Sequence, residues 1–166
     1  MHELRIDVAD LLTHPAARRA VHLDVVVDGL GTPVARIDAP VVIDLVLERV
    51  PDGIVARGTF VTRYDAECGN CLRPVSGELA VAVSELYEDH PVEGDTYALD
   101  GIHVDLDQLV RDALVLELPI APTCAADDSS CVALHDEHTV DVESGDEADS
   151  ERPADPRWAA LSQLEL

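Results

Sequence analysis

Residues 39–68 read APVVIDLVLERVPDGIVARGTFVTRYDAEC, two runs rich in β-branched side chains separated by Pro51-Asp52-Gly53. A run of 4–8 such residues bounded by turn residues is typical of a β-strand. Proline presets the backbone of a turn, aspartate hydrogen-bonds to it, and glycine accepts conformations that other residues avoid. We therefore predict an antiparallel hairpin of residues 41–49 with 54–66, which makes the first half of the chain β-rich.

Further strand patterns lie on both sides of this hairpin. Before the hairpin, apolar and polar residues alternate in 4–8, and β-branched residues are frequent in 21–27. After it, larger and smaller or polar side chains alternate in 79–88. The period then changes, because apolar residues in 105–118 recur at the i, i+3, i+4 spacing of an amphipathic helix. Asp105 is the expected N-cap of this helix, and the proline that follows residue 118 ends it.

These elements predict an α+β fold. We expect an antiparallel β-sheet meander or partly closed barrel with one main amphipathic helix (about 105–118), a cysteine-bearing loop and a short C-terminal helix. Residues 1–131 are expected to form a single domain. Residues 132–156 hold nine acids and one arginine, so we predict an acidic disordered segment. Residues 157–166, which contain Trp158, are predicted to form a short helix that docks on the domain or on a partner.

The charge restricts the choice of partner. The 166 residues carry 11 arginines, no lysine and 34 acids, a net charge of −23. A field of this sign repels phosphate backbones and favours basic proteins, although solubility alone also explains it. Local contact with RNA stays open through an arginine patch of Arg57, Arg63 and Arg73. The chain shows no secretory signal, membrane span or self-association pattern, so we expect a cytoplasmic monomer.

The four cysteines are the strongest chemical signal. Cys68 and Cys71 form a Cys-x-x-Cys pair at a predicted strand end, and Cys124 and Cys131 follow the helix. Two pairs supply the full ligand set of a closed tetrahedral zinc site. Metal-free thiols, a disulfide and a redox couple remain alternatives. The redox couple is disfavoured because Leu72-Arg73-Pro74, and not a helix, follows the first pair.

Other candidate sites are weaker. His135 and His138 could replace Cys131 as ligands, but solvated side chains in an acidic segment are the plainer interpretation. No phosphate-binding, nucleophile-elbow or metalloprotease motif is present. A closed four-cysteine site would also leave no open position for a substrate, so we expect no enzymatic activity.

Three stretches together resemble a known family. They are ECGNCLRP (67–74), VDLDQLVRDALVLELPIAPTC (104–124) and DPRWAALSQL (155–164). Their order is similar to that of the YceD family, the large ribosomal RNA subunit accumulation proteins. The resemblance implies a bacterial cytoplasmic protein that supports accumulation of 23S rRNA and large-subunit biogenesis. It also implies a metal at Cys68, Cys71, Cys124 and Cys131, although the further C-P-x-C-G knuckle of many relatives is missing after Cys131.

Two kinds of function follow as hypotheses. The first is a non-enzymatic factor with a structural zinc clip, which acts through a large-subunit ribosomal protein or a pre-ribosomal particle. The second is a cytosolic thiol or zinc redox switch that uses Cys68 and Cys71. An acidic protein-interaction module unrelated to ribosomes is a plainer third possibility.

Overall fold

The computed structural model describes residues 3–125 and 128–131. Within these residues the chain forms nine strands and two helices. In chain order they are β1 (Arg5–Asp7), α1 (Ala9–Thr13), β2 (Arg18–Val25), β3 (Leu30–Gly31), β4 (Ala35–Ile37), β5 (Val41–Val50), β6 (Gly53–Glu67), β7 (Pro74–Glu88), β8 (Tyr97–Asp100), β9 (His103–Asp105) and α2 (Asp107–Glu117). The predicted acidic segment 132–156, the predicted helix 157–166 and both histidines at 135 and 138 lie outside the described residues.

The predicted central hairpin is confirmed as β5 and β6. Val50 pairs with Gly53, so Pro51 and Asp52 alone form the connecting loop. The Arg49 guanidinium stabilises this turn, because it donates hydrogen bonds to the Val50 carbonyl and, at 2.7 Å, to the Gly53 carbonyl. The local turn chemistry therefore fixes the register of the two longest early strands.

Strand β6 is the centre of the sheet. Along one edge it pairs with β7 without interruption, from Glu67 opposite Pro74 to Ile54 opposite Tyr87. Along the other edge it pairs first with β5 and then, beyond it, with β4. Strand β2 adds to the outside of β5, and the whole sheet curls into a half-barrel.

The expectation of a purely antiparallel sheet is wrong, because the sheet is mixed. Strand β8 runs parallel to the end of β7, with Tyr87 opposite Tyr97 and Glu88 opposite Ala98. The reason is the loop 89–96, which carries the chain back before β8 begins. Thr96 holds this loop in place: its hydroxyl donates to the Glu88 carboxylate at 2.7 Å and accepts the Val92 N–H at 2.7 Å.

The main helix is confirmed as α2, with shifted bounds. Asp105 lies in β9, where pairing with Arg5 keeps it extended, so the helix begins at Asp107. The Asp105 carboxylate still accepts the Asp107 N–H at 2.9 Å. No helix among the described residues has the length and apolar character that a bilayer crossing requires.

The core lies between α2 and the inner face of the sheet. Buried side chains of β5, β6 and β7 share this face, and one row across the three strands aligns Ile43, Phe60 and Val81. The helix contributes three buried side chains: Leu109, Val110 and Leu114. Each fully buried aliphatic side chain of this kind stabilises the fold by about 1.5–3 kcal/mol. This packing fixes the C-terminal end of α2, and with it the place where the second cysteine pair begins.

Candidate metal centre

The first cysteine pair occupies the loop between β6 and β7. Cys68 N–H donates to the Arg73 carbonyl at 2.8 Å, which closes the hairpin next to its last strand pair. Leu72 N–H donates to the Cys68 carbonyl at 2.9 Å, and Leu72 takes a left-handed conformation with φ of 59°. The chain therefore turns tightly enough for Cys71 to face the same point as Cys68. The predicted knuckle is confirmed, but the next strand begins at Pro74 and not at residue 79.

The second pair is brought to this knuckle by the loop after α2. The buried Pro122 presents its carbonyl to Gly69 N–H at 2.8 Å. Two residues later, Cys124 N–H points at the Cys68 sulfur, 3.4 Å away. The first contact joins the loop to the hairpin end through backbone atoms alone, and the second brings the Cys124 backbone next to the Cys68 sulfur.

The four thiols form one cluster. All four Sγ atoms lie within 4.8 Å of one another, with Cys68 and Cys131 buried and Cys71 and Cys124 half-buried. The short distances are 3.6 Å from Cys68 to Cys131 and 3.6 Å from Cys71 to Cys124. A tetrahedral site with metal–sulfur bonds of about 2.3 Å has sulfur–sulfur edges of about 3.8 Å. The four residues therefore fit a single metal ion of this coordination.

The nearest sulfur pairs also bear on the redox alternative. Each 3.6 Å contact joins one cysteine of the knuckle to one of the later loop. A Cys-x-x-Cys couple would instead use Cys68 with Cys71, which is neither of these contacts. All four cysteines are free thiols in the structure.

Two further residues support the cluster, and the sequence interpretation missed both roles. Arg73 donates through Nε to the Cys71 sulfur at 3.2 Å and through one terminal nitrogen to Asp128 at 2.9 Å. Asp128 in turn accepts the Ser130 hydroxyl at 2.6 Å and the Cys131 N–H at 3.2 Å. Arg73 thus connects the two cysteine loops. The Asp-x-x-Cys spacing before Cys131, a local capping pattern, is the signal that could have identified Asp128.

The thiols differ in acidity. Burial alone would raise the pKa of Cys68, but backbone N–H groups, that of Cys71 first, stabilise its thiolate and hold the pKa at about 6. Arg73 lowers the pKa of Cys71. Burial and the neighbouring thiols raise the pKa of Cys124 to about 12, and burial raises that of Cys131. A divalent cation that binds all four as thiolates would therefore release protons.

The predicted arginine patch is not formed. Arg57 and Arg63 both lie on the outer face of β6, but six residues of strand, about 20 Å, separate them. Arg63 is opposite Glu78 in the register with β7. Arg73 is engaged by the cysteine loops through Cys71 and Asp128. Three arginines that are near in sequence therefore do not make one basic surface.

Comparisons with known proteins identify relatives of this chain. The model of the family described as large ribosomal RNA subunit accumulation protein YceD matches residues 56–165. An uncharacterized protein of Mycobacterium tuberculosis (strain H37Rv) is 30% identical over 171 aligned residues, which cover 97% of this chain and 81% of that protein.

A similar protein occurs in a second mycobacterial species. An uncharacterized protein of Mycobacterium leprae (strain TN) is 33% identical over 147 residues, 82% of this chain and 64% of that protein. No solved structure matches the chain. The matched range 56–165 contains the knuckle, α2 and both later cysteines, so the chain belongs to the YceD family of large ribosomal RNA subunit accumulation proteins.

Proposed function

We propose that this protein is a non-enzymatic factor that supports 23S rRNA accumulation and biogenesis of the large ribosomal subunit. The observation that carries the proposal is the family match over residues 56–165, a range that includes the complete four-thiol cluster. The protein acts in the bacterial cytoplasm, a compartment that keeps such thiols reduced and able to bind metal.

The cluster holds one structural zinc ion, with Cys68, Cys71, Cys124 and Cys131 as its ligands. Four thiolates complete a tetrahedral zinc site, so the ion has a structural and not a catalytic role. It clips the β6–β7 loop to the segment after α2. Arg73 offsets part of the excess negative charge that four thiolates leave on a divalent ion, as residues around metal ligands commonly do.

The partner is a basic large-subunit ribosomal protein or a pre-ribosomal particle that exposes one. The net charge of −23 supports this choice, since it attracts lysine- and arginine-rich surfaces and repels bare RNA. Separation of Arg57 from Arg63 along β6 argues in the same direction, because Arg57, Arg63 and Arg73 do not form one compact basic surface for phosphate groups. The protein acts as a monomer.

The test is genetic and biochemical. In a bacterium whose own gene is deleted, we expect a reduced ratio of 23S to 16S rRNA and an excess of free small subunits, both restored by the wild-type gene. Tagged protein should recover large-subunit precursors. Normal rRNA ratios in the deletion strain would contradict the proposal. Recovery of only non-ribosomal basic proteins would identify an acidic interaction module instead.

A thiol switch is the second candidate, and one observation favours it. Cys68 has a pKa of about 6, so its thiolate is populated near neutral pH, and Arg73 lowers the pKa of the half-buried Cys71. Metal analysis separates the two functions. Protein purified under reducing conditions without chelator should contain about one zinc per chain if the site is structural. Metal-free protein with rapidly alkylated Cys71 would favour the switch.

A further inference from the structure

Strand β7 has a long edge that is unpaired within the described part of the chain. One edge pairs with β6 over the full length of the strand, whereas the pairing described for the other edge is that of Tyr87 and Glu88 with β8. Among the described residues, no strand pairs with residues 77–86 on that side. We call these ten residues the open edge. They span about 33 Å, which exceeds the length of an average strand.

The open edge lacks the features that normally block strand addition. Its sequence is GELAVAVSEL, with no proline, lysine or arginine. The register with β6 is regular throughout, so no bulge twists the edge away. Ala80, Ala82 and Ser84 expose small side chains on the outer face, while Leu79 and Val81 are buried on the inner face. An incoming strand would meet little steric obstruction.

The surroundings of the open edge are acidic and partly aromatic. Near its C-terminal end, Glu85 lines a groove of about 960 Å³ between β7, β8 and α2. The groove contains Tyr87 and Tyr97, whose rings stack with centroids 5.4 Å apart. Its other acidic lining residues are Glu93, Asp95, Asp105, Asp107 and Asp112. The groove therefore favours lysine or arginine side chains over acidic or neutral ones.

The charge also decides between possible occupants. A second copy of this chain would bring another net charge of −23 to the same place, so repulsion opposes pairing of two open edges. A basic polypeptide is instead attracted, since its side chains complement the charge of the groove while its backbone extends the sheet. Addition of an extended segment to a sheet edge is a common mode of peptide recognition.

We propose that the open edge of β7 binds an extended, lysine- or arginine-rich segment of a partner protein as an additional strand. Backbone hydrogen bonds to residues 77–86 supply the affinity, and the acidic groove beyond Glu85 selects basic side chains. The inference rests on the proposed function only for the class of partner, a basic protein.

The probe is a synthetic twelve-residue peptide in which lysine alternates with valine or threonine. Full-length protein is titrated with it at low ionic strength, and amide hydrogen exchange is followed residue by residue. In free protein, the backbone amides of residues 77–86 that point away from β6, toward the open edge, should exchange rapidly. Saturating peptide should slow them by about tenfold or more, because they gain hydrogen-bond acceptors. Protection already present in free protein at all concentrations would overturn the proposal, since another segment would then occupy the edge.

Two peptide controls test the two parts of the proposal separately. N-methylation of three alternate residues removes backbone donors from one peptide edge and keeps the charge, so affinity should fall by about 100-fold for one of the two possible sets of positions. Replacement of each lysine by glutamate should abolish binding. Equal affinity of both N-methylated peptides would refute strand addition, and equal affinity of the glutamate peptide would refute charge selection.

A pair of protein variants locates the charge effect. Glu93→Gln with Asp95→Asn should weaken binding of the lysine peptide by about threefold to tenfold at low salt, because both side chains line the groove. Asp38→Asn with Asp52→Asn removes the same charge elsewhere and should have no effect beyond about twofold. Equal losses in both variants would refute the role of the groove. Since this assay contains no ribosomal component, peptide binding with normal rRNA in the deletion strain would reject the proposed function alone.

Discussion

Replacement of Cys131 by serine tests the zinc clip most directly. Cys131 is 4% exposed, and its sulfur lies 3.6 Å from that of Cys68, so the substitution removes a proposed ligand from the buried half of the cluster. A serine hydroxyl is a poor zinc ligand compared with a thiolate. We expect the variant to fold, because the core between α2 and the sheet does not include this side chain.

The magnitude follows from linkage between metal binding and folding. If free zinc is 1,000 times its dissociation constant, wild-type protein gains about 4.1 kcal/mol of stability from the metal. For a domain of this size, that corresponds to a melting temperature higher by roughly 8–16 °C. Loss of one of the four ligands should lower the zinc-dependent gain in Cys131→Ser to less than about 1 kcal/mol.

The assay is unfolding by urea, in reducing buffer, with buffered zinc and with excess chelator. The zinc-dependent difference in unfolding free energy is compared among wild type, Cys131→Ser and the control Ala80→Ser, which changes an exposed residue of β7. Cobalt substitution should also give sulfur-to-cobalt charge-transfer bands in the wild type, weakened in Cys131→Ser. The reasoning fails if excess chelator leaves the stability of the wild type unchanged. It also fails if the chelator lowers the stability of Cys131→Ser as much as that of the wild type.

Three other predictions concern the support of the site and the sheet. Arg73→Gln should keep one zinc per chain but lower zinc affinity by about tenfold in competition with a chromophoric chelator, and unchanged affinity would contradict the supporting role. Gly58→Ala should unfold the sheet or cost at least about 3 kcal/mol in urea, because φ is 158° and a Cβ would lie 1.9 Å from the Asp44 carbonyl oxygen. Burial, then Asp112, raises the pKa of Tyr97 to about 12, so its stabilising contribution is complete below about pH 10 and is lost between about pH 10 and 12. Tyr97→Phe should flatten the dependence of unfolding free energy on pH in that interval, and an unchanged slope would exclude this cause.

The features that the sequence predicted are those with local causes. The β5–β6 hairpin depends on its β-branched residues and on the Pro51-Asp52-Gly53 turn, and α2 depends on its helical period and on Pro119. The knuckle of Cys68 and Cys71 needs only a tight turn at a strand end. Each of these involves residues that are near one another along the chain, so short-range steric and hydrogen-bond preferences are sufficient.

The features that the sequence left open depend on contacts between distant segments. The parallel pairing of β8 with β7 is decided by how the loop 89–96 returns to the sheet, and no residue in β8 signals its direction. From the sequence, Arg73 is grouped with Arg57 and Arg63 in a basic patch. Its contact with Asp128, 55 residues later, exists only in the packed structure. The closeness of four thiols in two loops likewise depends on where α2 packs, which is set by burial of Leu109 and Leu114.

By itself, then, the sequence determined the hairpin, the helix, the number of cysteines and the acidic character. The tertiary structure decided that the four sulfur atoms lie within 4.8 Å and that no described strand covers residues 77–86 along one edge of β7. The physical reason is that turn chemistry and periodicity act along the chain. The meeting of thiols and the completion of a sheet edge depend instead on which apolar faces are buried together, a property of the whole packed domain.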